Sequence, residues 1–263
     1  MLFGVVTLLA LVLVPFLFWH GTWFGRPLSD REIEQYLNDD SHPRHEQHAL
    51  VQISQKLDRG DASVQRWYPR VCALAHSREI ELRITAAWLM GQDNRADAFH
   101  RSLLEALQDP EPLVRRNAAL SLARFGDASG RPELRAMLEP FSLLSPADGI
   151  LRYRLKVRDP AERGTVIAIL ENGGSRQSEV RSPLPGKILS KTAADGKRVE
   201  KGDEIVKLEP SADHVWEALR ALYLVGAPED LADIEKFTRP LPDWPSRIAE
   251  QAKLTAQQIR TRG

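Results

Sequence analysis

One segment of the chain, residues 145–210, contains the same short pattern twice, and this duplication limits what the chain can fold into. The first copy runs from Ser145 to Glu171 and the second from Ser182 to Glu209. Each copy passes from a proline-glycine turn through a short strand to a second glycine turn and a strand rich in β-branched residues. Since a half this short cannot bury its own apolar face, we expect two halves related by a pseudo-twofold axis to bury theirs against each other.

The second copy resembles a known family. Residues 182–188 read SPLPGKI and residues 196–203 read GKRVEKGD, which is similar to the biotinyl/lipoyl domains, small flattened barrels of two sheets. The resemblance implies a small all-β barrel over residues 145–210. The barrel-sandwich domains of periplasmic adaptor (membrane-fusion) proteins are similar to this fold and lack its modified lysine.

The hairpin between the two copies departs from that family. Domains that carry biotin or lipoate present one lysine there, whereas residues 171–179 read ENGGSRQSE. An amide-linked cofactor needs a primary amine, which arginine cannot supply. We therefore expect no cofactor and an unmodified binding module, whose partner-binding surface consists of Asn172, Gly173, Gly174, Ser175, Arg176 and Gln177.

The N-terminal segment is almost wholly apolar and carries no charge over residues 2–19. At about 1.5 Å per residue this length would cross a bilayer as a helix. A secretory signal peptide is the alternative, but the start has no lysine or arginine and no small-x-small cleavage site follows. We expect an uncleaved anchor over residues 1–24 that includes Phe3, Leu8, Leu11, Phe16, Trp19 and Trp23.

This anchor predicts a single-pass protein of the bacterial inner membrane. The side of the membrane on which the body lies stays open, since Arg26 and Arg31 favour the cytoplasm only weakly. Residues 25–41 then form a linker with a short helix, for which Ser29 and Glu32 provide a capping box.

A helical pattern extends over residues 42–144. Residues 109–122 read DPEPLVRRNAALSL, which resembles a HEAT repeat. Asp109 is suited to cap this helix, Pro110 fits its first turn, and Ala118 with Ala119 lets a neighbouring helix approach closely. A fainter copy begins at Leu82.

The helical pattern resumes over residues 211–263, where residues 214–226 echo residues 114–126. We therefore predict an α+β protein: a HEAT-like helical array interrupted by a small all-β lipoyl/biotinyl-like barrel and preceded by one transmembrane helix. Insertion of the barrel into an exposed loop of the array explains this order, because insertions are tolerated where the ends of the guest lie close together.

Catalytic and metal-binding patterns are weak. His42, His45 and His48 follow one another at spacings of three, but a metal site needs further ligands at fixed geometry. We interpret them as a solvated helix start and expect no metal. The sequence has no nucleophile elbow, phosphate loop or H-E-x-x-H motif, so we expect no catalytic residues and no enzyme.

The net charge and the aromatic residues indicate which partners and which contact positions to expect. With 36 basic and 36 acidic residues, the chain lacks the basic surface of a nucleic-acid binder. Four aromatic residues on apolar helix faces are expected in the core, namely Trp67, Trp88, Trp216 and Tyr223. Trp244 lies between two prolines and is the candidate for an exposed partner contact.

Together these features predict a non-enzymatic, membrane-anchored scaffold that tethers or assembles a partner protein. A membrane-fusion-type adaptor of a transport or secretion system is the alternative. It is disfavoured because the barrel has no long helical hairpin between its halves. A cofactor carrier is a third reading, which the lysine-free hairpin opposes.

Overall fold

The computed structural model of the 263-residue chain describes residues 27–172 and 177–262. These fall into two compact units, divided after Asp93. The first unit is helical, with α1 (Asp30–Leu37), α2 (Pro43–Asp58), α3 (Tyr68–Leu74) and α4 (Ile80–Met90), and a 3₁₀ turn at Ala62–Trp67.

The start of α1 is fixed by the capping box that the sequence predicts. The Ser29 hydroxyl accepts from the Glu32 backbone N–H, and the Glu32 carboxylate accepts from the Ser29 N–H at 2.8 Å. Both donors would otherwise lack a partner inside the helix. The apolar side of α1, Ile33 and Leu37, is fully buried in the first unit, as are Leu50 and Ile53 of α2.

The prediction of a single-pass membrane protein is contradicted. No helix within residues 27–172 and 177–262 is long and apolar enough to cross a membrane. The anchor was predicted at residues 1–24, including Phe3, Leu8, Leu11, Phe16, Trp19 and Trp23, and these lie outside the described residues.

The second unit contains the remaining helices and both sheets. Its helices are α5 (Asp97–Ala106), α6 (Pro112–Arg124), α7 (Arg131–Ala136), α8 (Ala212–Val225), α9 (Leu231–Glu235) and α10 (Ser246–Arg262). The eight strands are β1 (Phe141–Leu144), β2 (Gly149–Tyr153), β3 (Pro160–Ala161), β4 (Val166–Glu171), β5 (Gln177–Arg181), β6 (Gly186–Lys191), β7 (Arg198–Val199) and β8 (Glu204–Pro210).

Helices on both sides of the β segment share one hydrophobic core. Ala119 of α6 and Leu134 of α7 pack with Leu219 and Leu222 of α8, and with Ile248 of α10. The strands therefore interrupt a helical layer that is continuous in space. We call the eight strands, Phe141 to Pro210, the β module. The chain enters and leaves the β module at adjacent points, because β1 pairs antiparallel with β8 and places Phe141 opposite Leu208.

The duplicated pattern appears as two four-stranded antiparallel sheets. Their strand orders are β1-β8-β6-β3 and β5-β4-β2-β7. Strands β1 to β4 of the first half correspond in order to β5 to β8 of the second half. Replacing each strand by its counterpart converts the order of one sheet into the order of the other. Each sheet therefore contains strands from both copies, and the two copies share one apolar core that includes Leu151, Ile167, Ile188 and Val206.

The turns of the two copies match in detail. The hydroxyls of Ser145 and Ser182 each donate to the carbonyl oxygen two residues ahead, at 2.7 and 2.5 Å. The Gly202 N–H donates to the Ser145 carbonyl at 2.9 Å, and the Gly164 N–H donates to the Ser182 carbonyl at 2.7 Å. Both glycines have positive φ, of 96° and 85°, which only glycine adopts without cost.

The prediction of a small all-β barrel is corrected, since the two sheets do not close into a barrel. In the described residues each sheet ends at a two-residue strand, β3 or β7, and pairing does not continue from that strand into the other sheet. A two-residue strand offers too few ladder hydrogen bonds to join two sheets. The module is a pair of facing sheets, and its resemblance to biotinyl/lipoyl domains stays a prediction.

Candidate functional site

In two helices from different parts of the chain, an arginine side chain donates to backbone carbonyls of the loop before the helix. The Arg83 side chain in α4 donates to the carbonyls of Ser77 and Arg78, at 3.0 and 3.4 Å. The Arg115 side chain in α6 donates to the carbonyls of the residues six and five positions before it, at 2.8 and 3.1 Å. In both helices the arginine thus holds the loop that leads into its own helix, which identifies α4 and α6 as copies of one repeat.

Helix α4 carries an apolar stripe on its exposed side. Ile80, Ile84 and Trp88 follow one another at intervals of four residues and so lie along one side of the helix. Ile80 is 38% exposed and Trp88 is 43% exposed, while Ile84 is half-buried. We call Ile80, Ile84 and Trp88 the α4 stripe.

The expectation that Trp88 belongs to the core is wrong. Eight of the eleven residues of α4 are apolar, more than one buried face can take. The core takes Leu82, Ala86, Ala87, Leu89 and Met90, which are essentially fully buried. The α4 stripe consists of the apolar residues of α4 that the core does not bury. Because the helix is apolar on nearly every side, hydrophobic periodicity could not assign the stripe to the surface.

The middle position of the corresponding stripe of α6 is covered. Arg116 stands 32 residues after Ile84, at the equivalent position, and is only 2% exposed. It donates to Nδ1 of His214 in α8 at 3.0 Å. Burial lowers the pKa of Arg116 to about 10, although Glu133 at 3.7 Å opposes this shift. A polar contact between helices thus occupies the position at which α4 carries the half-buried Ile84.

Helix α8 carries aromatic residues near its surface. Trp216 is half-buried, and its ring lies under the guanidinium groups of Arg220 and Arg247, 4.6 and 4.9 Å from the ring centroid. Tyr223 was expected in the core and is instead exposed. Trp67 was also expected there and is buried, and its indole N–H donates to Glu34 at 2.6 Å.

The hairpin predicted to bind a partner joins β4 to β5. Glu171 pairs with Gln177 at its base, and both Asn172 and Gln177 are exposed. Gly173, Gly174, Ser175 and Arg176 lie outside the described residues. The structure thus places the two flanking residues at an exposed edge of the module, and a role for this hairpin in binding stays a prediction.

Trp244, predicted as an exposed contact, is half-buried. It packs against the shared helical core, and its ring centroid lies 5.7 Å from that of Phe237. At least part of this side chain therefore stabilises the helical layer.

The three histidines at the start of α2 separate into two groups. His48 is buried and its ring is tilted against Tyr36. His42 and His45 instead point to the carboxylate of Asp39, a residue that the sequence analysis did not consider. Hydrogen bonds from Ser41, His42 and His45 hold the pKa of Asp39 well below its usual range. The spacing Asp39–His42–His45, three residues each time, was the available signal.

Comparisons with known proteins identify one part of the chain. Residues 68–144 match the family model of HEAT repeats. This range contains both α4 and α6, which carry the repeated arginine device. Arrays of such repeats bind other proteins along their helical surfaces, so the match indicates a role in protein interaction. No curated protein matches the chain.

Two solved structures show limited similarity. An aspartoacylase family protein from Mesorhizobium loti is 26% identical over 27% of this chain and 23% of that chain, with a TM-score of 0.24. A single-chain, multi-domain long-chain acyl-CoA carboxylase is 19% identical over 54% of this chain and 16% of that chain, with a TM-score of 0.26. At these TM-scores neither similarity informs the fold or the activity of this chain.

Proposed function

We propose that this chain is a non-enzymatic scaffold that binds and assembles a partner protein, and that the α4 stripe is a contact surface. The observation that carries the proposal is Trp88, a large aromatic residue that is 43% exposed inside the segment that matches HEAT repeats. Tryptophan is among the residues that contribute most to binding free energy at protein interfaces.

The energetics favour a partner that covers the α4 stripe. Each Å² of apolar surface removed from water contributes about 25 cal/mol, and an exposed indole flanked by isoleucines gains nothing from this term until a partner packs on it. The helix beneath is rigid, because Leu82, Ala86, Leu89 and Met90 fix it in the core. A partner therefore meets a preformed surface and pays little entropy to order it.

The stripe indicates the chemistry of the partner segment. Three apolar side chains at intervals of four residues span about 12 Å along α4, at 1.5 Å per residue. An amphipathic helix or an extended apolar segment of similar length would cover them.

Affinity capture from cells of the source organism, followed by measurement of Kd with the purified partner, tests the proposal. The variant is Trp88→Ala, whose exposed side chain should be removed without unfolding α4. Leu254→Ala is the matched control, because Leu254 is also an exposed apolar helix residue but lies on α10. We expect Trp88→Ala to weaken binding at least about tenfold and Leu254→Ala to leave it unchanged.

Equal Kd values for the wild type and Trp88→Ala would overturn the assignment of the α4 stripe. Failure of the wild-type chain to retain any protein at stoichiometric amounts would overturn the scaffold proposal itself. Circular dichroism spectra of all three proteins establish that differences in binding are not differences in folding.

A further inference from the structure

Asp39 and His42, in the connection between α1 and α2, form a compact cluster with His45 in the first turn of α2. Nδ1 of His42 lies 3.0 Å from each carboxylate oxygen of Asp39, and Nδ1 of His45 lies 2.6 Å from Oδ2. One ligand atom from each of the three residues lies within 4.8 Å of the other two. Two imidazoles and one carboxylate thus converge on a volume the size of one ion.

We propose that Asp39, His42 and His45 bind a divalent transition-metal ion of the zinc class. Two imidazole nitrogens and one carboxylate oxygen are ligands that Zn²⁺ takes at about 2.0–2.2 Å. Hard cations such as Mg²⁺ and Ca²⁺ prefer a shell made only of oxygen, so the imidazoles favour zinc, nickel or cobalt.

The backbone holds the three residues in register before any ion binds. The His42 N–H donates to the Asp39 carbonyl at 2.9 Å, and the His45 N–H donates to the His42 carbonyl at 2.8 Å. Pro43, the first residue of α2, follows His42 directly and restricts its backbone conformation. These two turns bring residues at spacings of three to the same side of the connection.

Side-chain contacts orient two of the ligands. The His45 ring stacks on Tyr36, with centroids 4.2 Å apart and planes 15° from parallel. The Ser41 hydroxyl donates to Oδ1 of Asp39 at 2.6 Å. Outer contacts of this kind fix the orientation of metal ligands and raise their affinity.

Exposure leaves a route for the ion and an open coordination position. The side chains of His45 and Asp39 are 19% and 26% exposed, whereas that of His42 is 62% exposed. His42 can therefore rotate to admit an ion and close on it. Three protein ligands leave the fourth tetrahedral position to water or to a group from a partner.

The proton balance is defined. A neutral imidazole that donates from Nδ1 to Asp39 shifts its proton to Nε2 when Nδ1 binds the ion, with no net release. A protonated imidazole loses one proton to solvent. Binding of one ion therefore releases between zero and two protons.

The test is calorimetric titration of the full chain with Zn²⁺, using protein purified without a histidine tag. We expect one ion per chain. His42→Ala should weaken Zn²⁺ binding at least about tenfold, and His42→Ala with Asp39→Asn should abolish it. His76→Gln is the matched control, because His76 is an exposed histidine of the same unit outside the cluster, and should bind like the wild type.

Two further measurements keep the test independent of folding. Co²⁺ in place of Zn²⁺ should give the absorption bands of a four-coordinate ion in the wild type, and these should be lost in His42→Ala. Zn²⁺ should raise the thermal unfolding midpoint of the wild type and not that of the double variant. Absence of Zn²⁺ binding by the wild type, or unchanged affinity in His42→Ala, would overturn the proposal.

Discussion

The contact between Arg116 and His214 fixes a protonation state. The guanidinium donates to Nδ1 of His214, so this nitrogen must carry a lone pair and the ring must be neutral. Burial, and next the charge of Arg116, lower the pKa of His214 to about 4. Asp213 opposes the shift only in part. A polar pair inside a helical layer thus depends on the absence of one proton.

The first prediction follows from the sign of this shift. The pKa of His214 in the folded chain, about 4, lies below the ordinary value of about 6.5, so the unfolded chain binds the proton first. The contribution of His214 is complete above about pH 6.5 and decreases as the pH falls towards 4. Urea unfolding of the wild type and His214→Gln at several pH values measures it.

Glutamine can still accept from Arg116 and does not titrate, so the difference between the two proteins isolates His214 from the carboxylates common to both. The wild type should lose more free energy of unfolding than His214→Gln between pH 7 and pH 4.5. Parallel pH profiles would show that the partly buried His214 does not have the lowered pKa.

The sequence predicted the environment of some single residues and not of others. Ser29 and Glu32 have local partners, so their capping box could be predicted and is confirmed. Trp88 could not be placed, because its exposure depends on which faces of α4 other helices cover. The pattern of repeated histidines did not by itself indicate Asp39, which lies three residues before the first of them.

Close packing between elements depends on small residues. A methyl group placed on Gly130 would lie 2.7 Å from Cα and 2.9 Å from Cβ of Ala119 in α6. Real side chains essentially never approach this closely, so α6 and the 3₁₀ turn at Ala128–Gly130 would have to move apart. The expectation that Ala119 permits a close neighbour agrees with this contact.

The second prediction concerns this contact. Gly130→Ala should lower the free energy of unfolding by about 1–3 kcal/mol, the usual cost of overpacking a core. Ala128→Ser is the matched control, because it adds one heavy atom in the same turn at an exposed position. Chemical denaturation checks both, and equal stabilities of the two variants would contradict the packing.

At the scale of elements, the sequence pattern predicted the duplicated strands but not whether the two sheets close into a barrel. Paired turn signals at Gly164 and Gly202 mark the duplicated halves in the sequence, since positive φ demands glycine there. Whether two sheets join into a barrel depends on the length and register of β3 and β7, which are two residues each. Strand ends of this kind are not encoded in hydrophobic periodicity.

An ion pair joins the chain before the β module to the chain after it. Arg131 of α7 donates from Nε and Nη2 to the two carboxylate oxygens of Asp230, at 2.9 and 3.0 Å. Asp230 is fully buried, and its Oδ2 also accepts from the Ala227 N–H at 2.8 Å. This carboxylate therefore holds α7 and the start of α9 together across 99 residues of sequence.

The third prediction addresses the whole second unit. Asp230→Ala leaves Arg131 without its main partner, and we expect a loss of about 3 kcal/mol in the free energy of unfolding. Glu229 also contacts Arg131 but is exposed, so Glu229→Ala should change little. A small effect of Asp230→Ala in thermal or urea unfolding would show that the two helical segments are held by apolar packing alone.

The shared helical core has a consequence for synthesis of the chain. Ala119, Ala123 and Leu134 emerge from the ribosome before Leu219, Leu222 and Ile248, which cover them in the finished protein. At about 5–20 residues per second, the interval is on the order of ten seconds. During that time the nascent helices expose apolar surface, so this unit is a natural client for chaperones that bind at the exit tunnel.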